Sequence, residues 1–279
     1  MILDKFNLKD KVALITGAAG LLGIEHASAL LETGATVILT DISEQKLQDT
    51  KKKLSNYYDE VKQNIILYVM DVADLRSIHG VSAQLKKNDI RVDILINNAA
   101  IDPKVNNKIE SLANSRLENF SLSEWNKQLS VGLTGTFLTI QVFGTMMSSD
   151  GKGGVILNIA SDLSVIAPGQ KLYENKLLPK NKQPVKPITY SAIKFGLIGL
   201  TKYVSTYWAS DGVRCNALSP GGVYNEQNKD FVTKLSSLIP LGRMAQPNEY
   251  RSAVQFLCSD ASSYMNGHNL VIDGGRSVL

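Results

Sequence analysis

Seven short apolar runs recur along the chain, and stretches with helical character separate them. Runs of this length suit strands that are buried on both faces of a parallel sheet, and the helices between them supply the crossovers. The pattern predicts an α/β fold, a doubly wound parallel sheet of about seven strands, formed by one domain over residues 1–279. The predicted strands are 11–17, 35–41, 65–71, 92–99, 153–161, 212–220 and 269–275.

Composition argues against several classes of function. A hydrophobic content of 44% with 20% charged residues is ordinary for a well-packed soluble domain, and no apolar run looks long enough to span a membrane. The N-terminus does not resemble a secretion signal, and the two cysteines have no metal-ligand spacing, so we expect a cytoplasmic protein without a metal site. The net charge is only +4, and residues 171–187 alone carry a surplus of four positive charges. Because the remainder is nearly neutral, we do not expect a nucleic-acid partner.

The stretch "TGAAGLLG" at 16–23 follows the first predicted strand and opens a helix. Glycines at 17, 20 and 23 permit a tight turn and let backbone N–H groups approach a pyrophosphate at the helix N-terminus. A glycine-rich turn without a ligand would look the same, but Asp41 ends the next strand, where a carboxylate binds a ribose diol. That carboxylate would repel a 2′-phosphate, and Ile42 and Ser43 offer no positive charge against it. The sequence therefore favours NAD over NADP as the cofactor.

The stretch "YSAIK" places Tyr190 and Lys194 one helical turn apart on the same face. A tyrosine that acts as a base at neutral pH needs its pKa lowered by roughly three units, which corresponds to ~4 kcal/mol. An ammonium group at ~4 Å supplies ~4 kcal/mol at an effective dielectric constant of about 20. Alone, the pair could be an ordinary surface pair on a helix. Ser161 favours a catalytic role for the pair, because it ends a predicted strand at the sheet edge where ligands bind.

Several motifs in their order along the chain resemble the short-chain dehydrogenase/reductase family. They are "TGAAGLLG", "DV" at 71–72, "NNAA" at 97–100, "NIAS" at 158–161, "YSAIK", "RCNALSPGG" at 214–222, "PLGR" at 240–243 and "LVIDGG". The resemblance implies a Rossmann-type enzyme that interconverts an alcohol and a ketone with NAD or NADP. Ser161 would hold the substrate oxygen, Tyr190 would exchange its proton, and Lys194 would lower the pKa of Tyr190 and bind the nicotinamide ribose.

The resemblance also implies which residues line the cofactor, with Asn97 among them. It further implies a homodimer or homotetramer in which helices around 121–148 and 188–209 pack between subunits. The residues expected to bind the cofactor are Gly17, Gly20, Leu22, Gly23, Asp41, Asp71, Val72, Asn98, Ala99, Tyr190, Lys194, Pro220, Gly221 and Val223.

Three positions depart from the family pattern. Leu21 stands where compact members have a glycine, so the turn reads TGxxGxxG, which is typical of the branch that modifies sugar nucleotides. Gly132 replaces an Asn that is thought to anchor a proton-relay water, and we expect a space there that water could fill. Asn225 replaces a common Thr, and its amide could still bind the nicotinamide carboxamide.

The leading interpretation is an NAD-dependent oxidoreductase that acts on a small molecule such as a sugar or sugar phosphate. A narrower similarity points to dehydrogenases of surface-polysaccharide and flagellin-modification pathways. Two alternatives stay open: a sugar-nucleotide epimerase or dehydratase, suggested by TGxxGxxG, and a dinucleotide-binding regulator without turnover, suggested by Gly132. The first usually needs a larger C-terminal substrate domain, and the second is disfavoured because Ser161, Tyr190 and Lys194 are all present.

A lysine-rich insertion, residues 166–188, separates Ser161 from Tyr190 by 29 positions, where the family pattern has about a dozen. We expect it to form a mobile, positive flap beside the active site that attracts an anionic substrate. A solvated surface loop or a contact between subunits would have the same composition. The lysines in question are Lys171, Lys176, Lys180, Lys182 and Lys186.

Overall fold

The computed structural model describes residues 2–58, 64–101, 114–175 and 177–279. Seven parallel strands form one sheet in the order β3-β2-β1-β4-β5-β6-β7. The prediction of a doubly wound sheet of about seven strands is confirmed, and each strand falls inside its predicted run. The strands are β1 (Val12–Thr16), β2 (Thr36–Asp41), β3 (Ile65–Val69), β4 (Ile94–Asn97), β5 (Gly154–Ile159), β6 (Val213–Pro220) and β7 (Asn269–Ile272).

Helices cover both faces of this sheet. Seven lie in the described ranges, namely α1 (Leu21–Glu32), α2 (Glu44–Tyr57), α3 (Leu75–Lys87), α4 (Leu122–Ser149), α5 (Ile188–Tyr207), α6 (Lys229–Ser236) and α7 (Arg251–Cys258). Helix α1 begins at Leu21, inside the glycine-rich stretch. It ends at Glu32, and Gly34 then adopts a φ of +92°, a conformation that glycine tolerates and that turns the chain into β2.

Two apolar cores lie on opposite faces because successive strand residues point to opposite sides. In β1, Ala13 and Ile15 face the core that contains α1, α2 and α7. Leu14 faces the other core, with α3, α4 and α5. The switch between these two layers occurs next to β1, where the connections diverge toward β2 on one side and β4 on the other. Ligands of open parallel sheets bind at such a point, beyond the carboxyl ends of the strands.

Helix α4 is 28 residues long and, by length and composition only, apolar enough to cross a membrane, with a mean hydropathy of 1.3 over its most apolar window. Phe143 and Met147 on this helix are fully buried against the sheet. The packing explains the apolar composition as that of a core helix. Two π-helical turns, Ser130–Thr134 and Ile140–Gly144, interrupt the α-helical hydrogen bonding.

Candidate active site

A cleft of about 830 Å³ lies at the carboxyl edge of the sheet. Its wall contains every residue of the predicted catalytic and cofactor set except Gly23. The members on the wall are Gly17, Gly20, Leu22, Asp41, Asp71, Val72, Asn98, Ala99, Ser161, Tyr190, Lys194, Pro220, Gly221 and Val223. Residues spread over most of the chain are thus brought to one surface.

The glycine-rich turn between β1 and α1 forms one end of the cleft. Gly17 has a φ of +60°, and a Cβ there would lie 2.8 Å from Ala99 Cα. A Cβ on Gly23 would lie 2.5 Å from Gly17 O, so Gly23 lets the helix pack against the turn rather than forming the wall. Only glycine fits both places, which leaves room at the α1 N-terminus for a dinucleotide pyrophosphate.

The end of β4 holds this turn in place. The Asn98 side-chain amide donates to the carbonyls of Thr16 and Gly17 at 3.1 and 2.9 Å, and the Asn98 backbone N–H donates to Thr16 Oγ1 at 3.0 Å. Asn97 lies inside the protein, where it donates to Asn158 at 2.9 Å and accepts from Thr139 at 2.7 Å. The expectation that Asn97 lines the cofactor is therefore wrong, since a strand residue next to Asn98 points to the opposite side.

Acidic residues line the same end of the cleft. Asp41 ends β2 and accepts a hydrogen bond from Ser43 N at 3.2 Å, and Asp71 accepts one from Ala73 N at 2.9 Å. Both side chains thus cap local turns while they face the cleft. Lys46, on the first turns of α2, also lies on the wall. Positions 42 and 43 carry no cation, and the nearest lysine after Asp41 in the sequence is Lys46.

Tyr190, Lys194 and Ser161 meet at the opposite end. Lys194 is 7% exposed, donates from Nζ to Ile159 O at 2.9 Å and lies 5.7 Å from the centre of the Tyr190 ring. Helix α5 supplies Tyr190 and Lys194, whereas Ser161 follows β5 and is 6% exposed. The three side chains share the wall of one cleft with the glycine-rich turn, as a hydride transfer to a dinucleotide requires.

A second ammonium group lies even closer to Tyr190. Lys186 Nζ is 3.8 Å from the centre of the Tyr190 ring, a cation–π distance, and Lys186 lines the cleft. It belongs to the lysine-rich insertion. Of the other lysines there, Lys171, Lys180 and Lys182 are exposed and do not line the cleft, and Lys176 lies outside the described residues.

The described part of the insertion is folded. Leu172 is 7% exposed and packs in a small apolar cluster with Leu235, Ile239 and Met244. The Gln183 side chain bridges to the backbone of Asn175 at 2.8 and 2.9 Å. Two short 3-10 turns, Gln170–Tyr173 and Lys180–Lys182, add local structure.

Asp162 and Arg276 are charged residues on the cleft wall that were not predicted from the sequence. Asp162 follows Ser161, and Arg276 comes from the C-terminal 3-10 turn; they form an ion pair with a distance of 2.6 Å. The position of Asp162 next to Ser161 is a signal that the sequence contains. Nothing local points to Arg276, which is 114 positions away.

The space expected at Gly132 is filled. A Cβ there would lie 2.9 Å from Ile193 Cγ2, so the residue before Lys194 occupies the volume in which we expected water. Ile193 itself is 5% exposed and packs with Ala160 and Leu197.

Sheet topology, the glycine-rich turn and the Ser161, Tyr190 and Lys194 cluster together define a dinucleotide-dependent oxidoreductase. Residues 11–174 match the family model "short chain dehydrogenase", and residues 180–277 match the model "Enoyl-(Acyl carrier protein) reductase". The chain belongs to the short-chain dehydrogenase/reductase family. Its chemistry is therefore the interconversion of an alcohol and a ketone with NAD or NADP.

Individual relatives cover nearly the whole chain. A D-threitol dehydrogenase from Mycolicibacterium smegmatis is 33% identical over 98% of this chain and 95% of its own. An NAD-dependent glycerol dehydrogenase from Listeria innocua is 32% identical over 98% of this chain and 96% of its own. A crystal structure of a gluconate 5-dehydrogenase from Burkholderia cenocepacia in complex with NADP and tartrate is 28% identical, covers both chains completely and has a TM-score of 0.83.

Proposed function

We propose that this enzyme is an NAD-dependent dehydrogenase of a sugar, a polyol or a sugar acid. The observation that carries the proposal is the single cleft that joins the dinucleotide turn to Ser161, Tyr190 and Lys194. Similarity to the D-threitol, glycerol and gluconate dehydrogenases supports the substrate class. The narrower prediction of a surface-polysaccharide or flagellin pathway stays a prediction, as do the cytoplasmic location and the dimer or tetramer.

In the proposed mechanism, each side chain has a distinct task. Ser161 binds the substrate oxygen, and Tyr190 removes the hydroxyl proton from the alcohol. Lys194, fixed by the Ile159 carbonyl, supplies positive charge that stabilises the tyrosinate form. NAD bound along the glycine-rich turn would supply the hydride acceptor for this oxidation. The glycine-rich turn and Asn98 keep the dinucleotide end of the cleft open for it.

Asp41 supports NAD as the preferred cofactor. Its carboxylate ends β2 on the cleft wall, where it would accept hydrogen bonds from the ribose diol and repel a 2′-phosphate. Lys46 on the same wall is exposed and weakens that repulsion only partly, because solvent screens an exposed ammonium group.

An anionic group on the substrate fits the end of the cleft that contains Tyr190. Lys186 lies on the wall there and is held over the ring of Tyr190. A carboxylate or phosphate on a substrate bound at Tyr190 would meet Lys186. Gluconate, the substrate named for one of the similar structures, carries such a carboxylate. The lysine-rich insertion thus supports the proposal through Lys186, with Lys180 and Lys182 as solvated charges.

A side-by-side screen tests the proposed function. Reduction of NAD would be followed at 340 nm with D-threitol, glycerol, gluconate and phosphorylated sugars. At least one should be oxidised, and Tyr190→Phe should lower kcat by about 100-fold or more because general acid–base catalysis contributes that much. Calorimetry of NAD binding is the control, since the variant should bind NAD like the wild type. Substantial turnover by Tyr190→Phe would remove the assignment of Tyr190 as the base.

A further inference from the structure

Ser161 is hydrogen bonded to its own neighbour. Ser161 Oγ donates to Asp162 Oδ1 at 2.8 Å, and Leu163 N donates to the same carboxylate oxygen at 2.8 Å. An ionised carboxylate only accepts hydrogen bonds, so the serine proton must point at Asp162 in this arrangement. A serine that binds a ketone oxygen must instead point this proton into the cleft.

Arg276 holds the other oxygen of the same carboxylate. Arg276 Nη1 donates to Asp162 Oδ2 at 2.6 Å, and the side chains of Arg276 and Asp162 are only 9% and 4% exposed. A carboxylate at this depth needs a partner, because an unpaired buried charge is strongly destabilising. The ion pair therefore links the C-terminal turn to the segment that carries Ser161.

We propose that Asp162 and Arg276 are a positioning pair that controls the direction of the Ser161 hydroxyl. The inference rests on the proposed role of Ser161 in binding the substrate oxygen. Arg276 takes up part of the carboxylate charge at Oδ2, which weakens the hydrogen bond that Asp162 Oδ1 accepts from Ser161. The hydroxyl can then rotate, and its proton turns from Asp162 to the substrate oxygen without any covalent bond being made or broken.

The strength of charged hydrogen bonds explains why the guanidinium matters. Hydrogen bonds to an ionised partner are about twice as strong as neutral ones, so a carboxylate without a cation would hold the serine proton firmly. Loss of Arg276 should therefore hold Ser161 in its resting orientation. Loss of both charges should release it.

Kinetics of three variants test the pair, with D-threitol, glycerol and gluconate as substrates. Arg276→Met should lower kcat by about tenfold or more, with a smaller change in KM, since one hydrogen bond to a charged group is at stake. Arg276→Lys should recover most of kcat because it restores the positive charge. The double variant Asp162→Asn/Arg276→Met should also have a higher kcat than Arg276→Met alone, because the neutral amide holds the serine proton less tightly.

Arg91→Met is the matched control. Arg91 forms ion pairs with Asp93 and Asp150 near the amino ends of the strands, away from the cleft. Its loss should lower Tm and leave kcat unchanged. If kcat of Arg276→Met falls no further than that of Arg91→Met, or follows Tm through all variants, the pair only stabilises the fold and the inference is wrong.

Crystallography gives a readout that does not depend on turnover. The Ser161 side chain should keep its contact with Asp162 in Arg276→Met and should leave that rotamer in Asp162→Ala/Arg276→Met, which strands no buried charge. An unchanged rotamer in the double variant would overturn the inference. A wild-type protein that oxidises none of the substrates would remove the proposed function, and the rotamers would still decide whether Asp162 and Arg276 orient Ser161.

Discussion

In the proposed function, the preference for NAD over NADP rests on Asp41, at the end of β2. Its carboxylate faces the cleft, and the closest sequence neighbours, Ile42 and Ser43, carry no charge. The exposed ammonium group of Lys46, on the same wall, has the opposite effect, because it would attract a 2′-phosphate. The balance between these two charges can therefore be measured as the ratio of the affinity for NAD to the affinity for NADP.

We predict that NAD binds about tenfold more tightly than NADP, which corresponds to about 1.4 kcal/mol. Asp41→Ala should narrow this gap, because it weakens NAD binding and relieves the repulsion of the 2′-phosphate. Isothermal titration calorimetry with both cofactors measures the two affinities, and Lys46→Gln is the matched control, which should widen the gap. Equal affinities in the wild type would remove the role assigned to Asp41.

Residues with a local signal were predictable from the sequence. Gly17 and Gly20 follow a strand, and Tyr190 and Lys194 share a helical face. Pattern and spacing were therefore enough to predict that each of them lies at the cleft. Asn97 was taken from the family resemblance and not from a pattern in this chain, and its side chain lies inside the protein against Asn158 and Thr139. Ile193 filled the space at Gly132 through a contact between two helices that no local pattern encodes.

At the level of elements, the lysine-rich insertion shows what composition could and could not predict. Composition predicted a charged segment between Ser161 and Tyr190. It could not show that Leu172 anchors the segment in an apolar cluster, or that Lys186 alone among the described lysines of the insertion lines the cleft. The insertion therefore reaches the cleft through Leu172, Tyr173 and Lys186, and its other described lysines provide a background charge.

We predict that Lys186→Gln discriminates between charged and neutral substrates. The ratio of kcat/KM for gluconate to kcat/KM for D-threitol should fall several-fold, which corresponds to about 1 kcal/mol for a partly exposed charge. Lys182→Gln, on the same insertion but outside the cleft, is the control and should leave the ratio unchanged. An equal loss on both substrates would mean that Lys186 supports Tyr190 and does not bind a substrate anion.

The doubly wound parallel sheet of about seven strands was predictable because the buried strands and crossovers follow local rules, whereas long-range ion pairs were not predictable. Arg251 pairs with Glu25 at 2.6 Å and Glu32 at 2.8 Å, which joins α7 to α1 over most of the chain length. Such pairs depend on the final packing of helices. The stability of the molecule against acid depends on another such feature, a buried histidine.

His26 lies on α1 beneath the cofactor turn and is fully buried. Neither ring nitrogen has a hydrogen-bond partner among the described residues. Burial lowers the pKa of His26 from its ordinary value of 6.5 to about 4, and the neighbouring Asn98 side chain offsets only a smaller part of this effect. The folded protein therefore holds His26 neutral at a pH where the unfolded chain already binds a proton.

We predict that this histidine makes the fold sensitive to mild acid. Because the pKa is lower in the folded state, the contribution of His26 to stability is complete above pH 6.5 and is lost as the pH falls toward 4. The loss amounts to about 3 kcal/mol at 1.36 kcal/mol for each unit of pKa difference. Urea unfolding at pH values from 7.5 to about 4.5 measures this loss of stability. Carboxyl groups also titrate over this range, but they do so in all variants alike. His26→Leu should lose less stability over this range than the wild type, and the exposed His79→Gln should follow the wild type. Parallel curves for the wild type and His26→Leu would show that His26 takes up its proton in the folded protein as readily as in the unfolded chain.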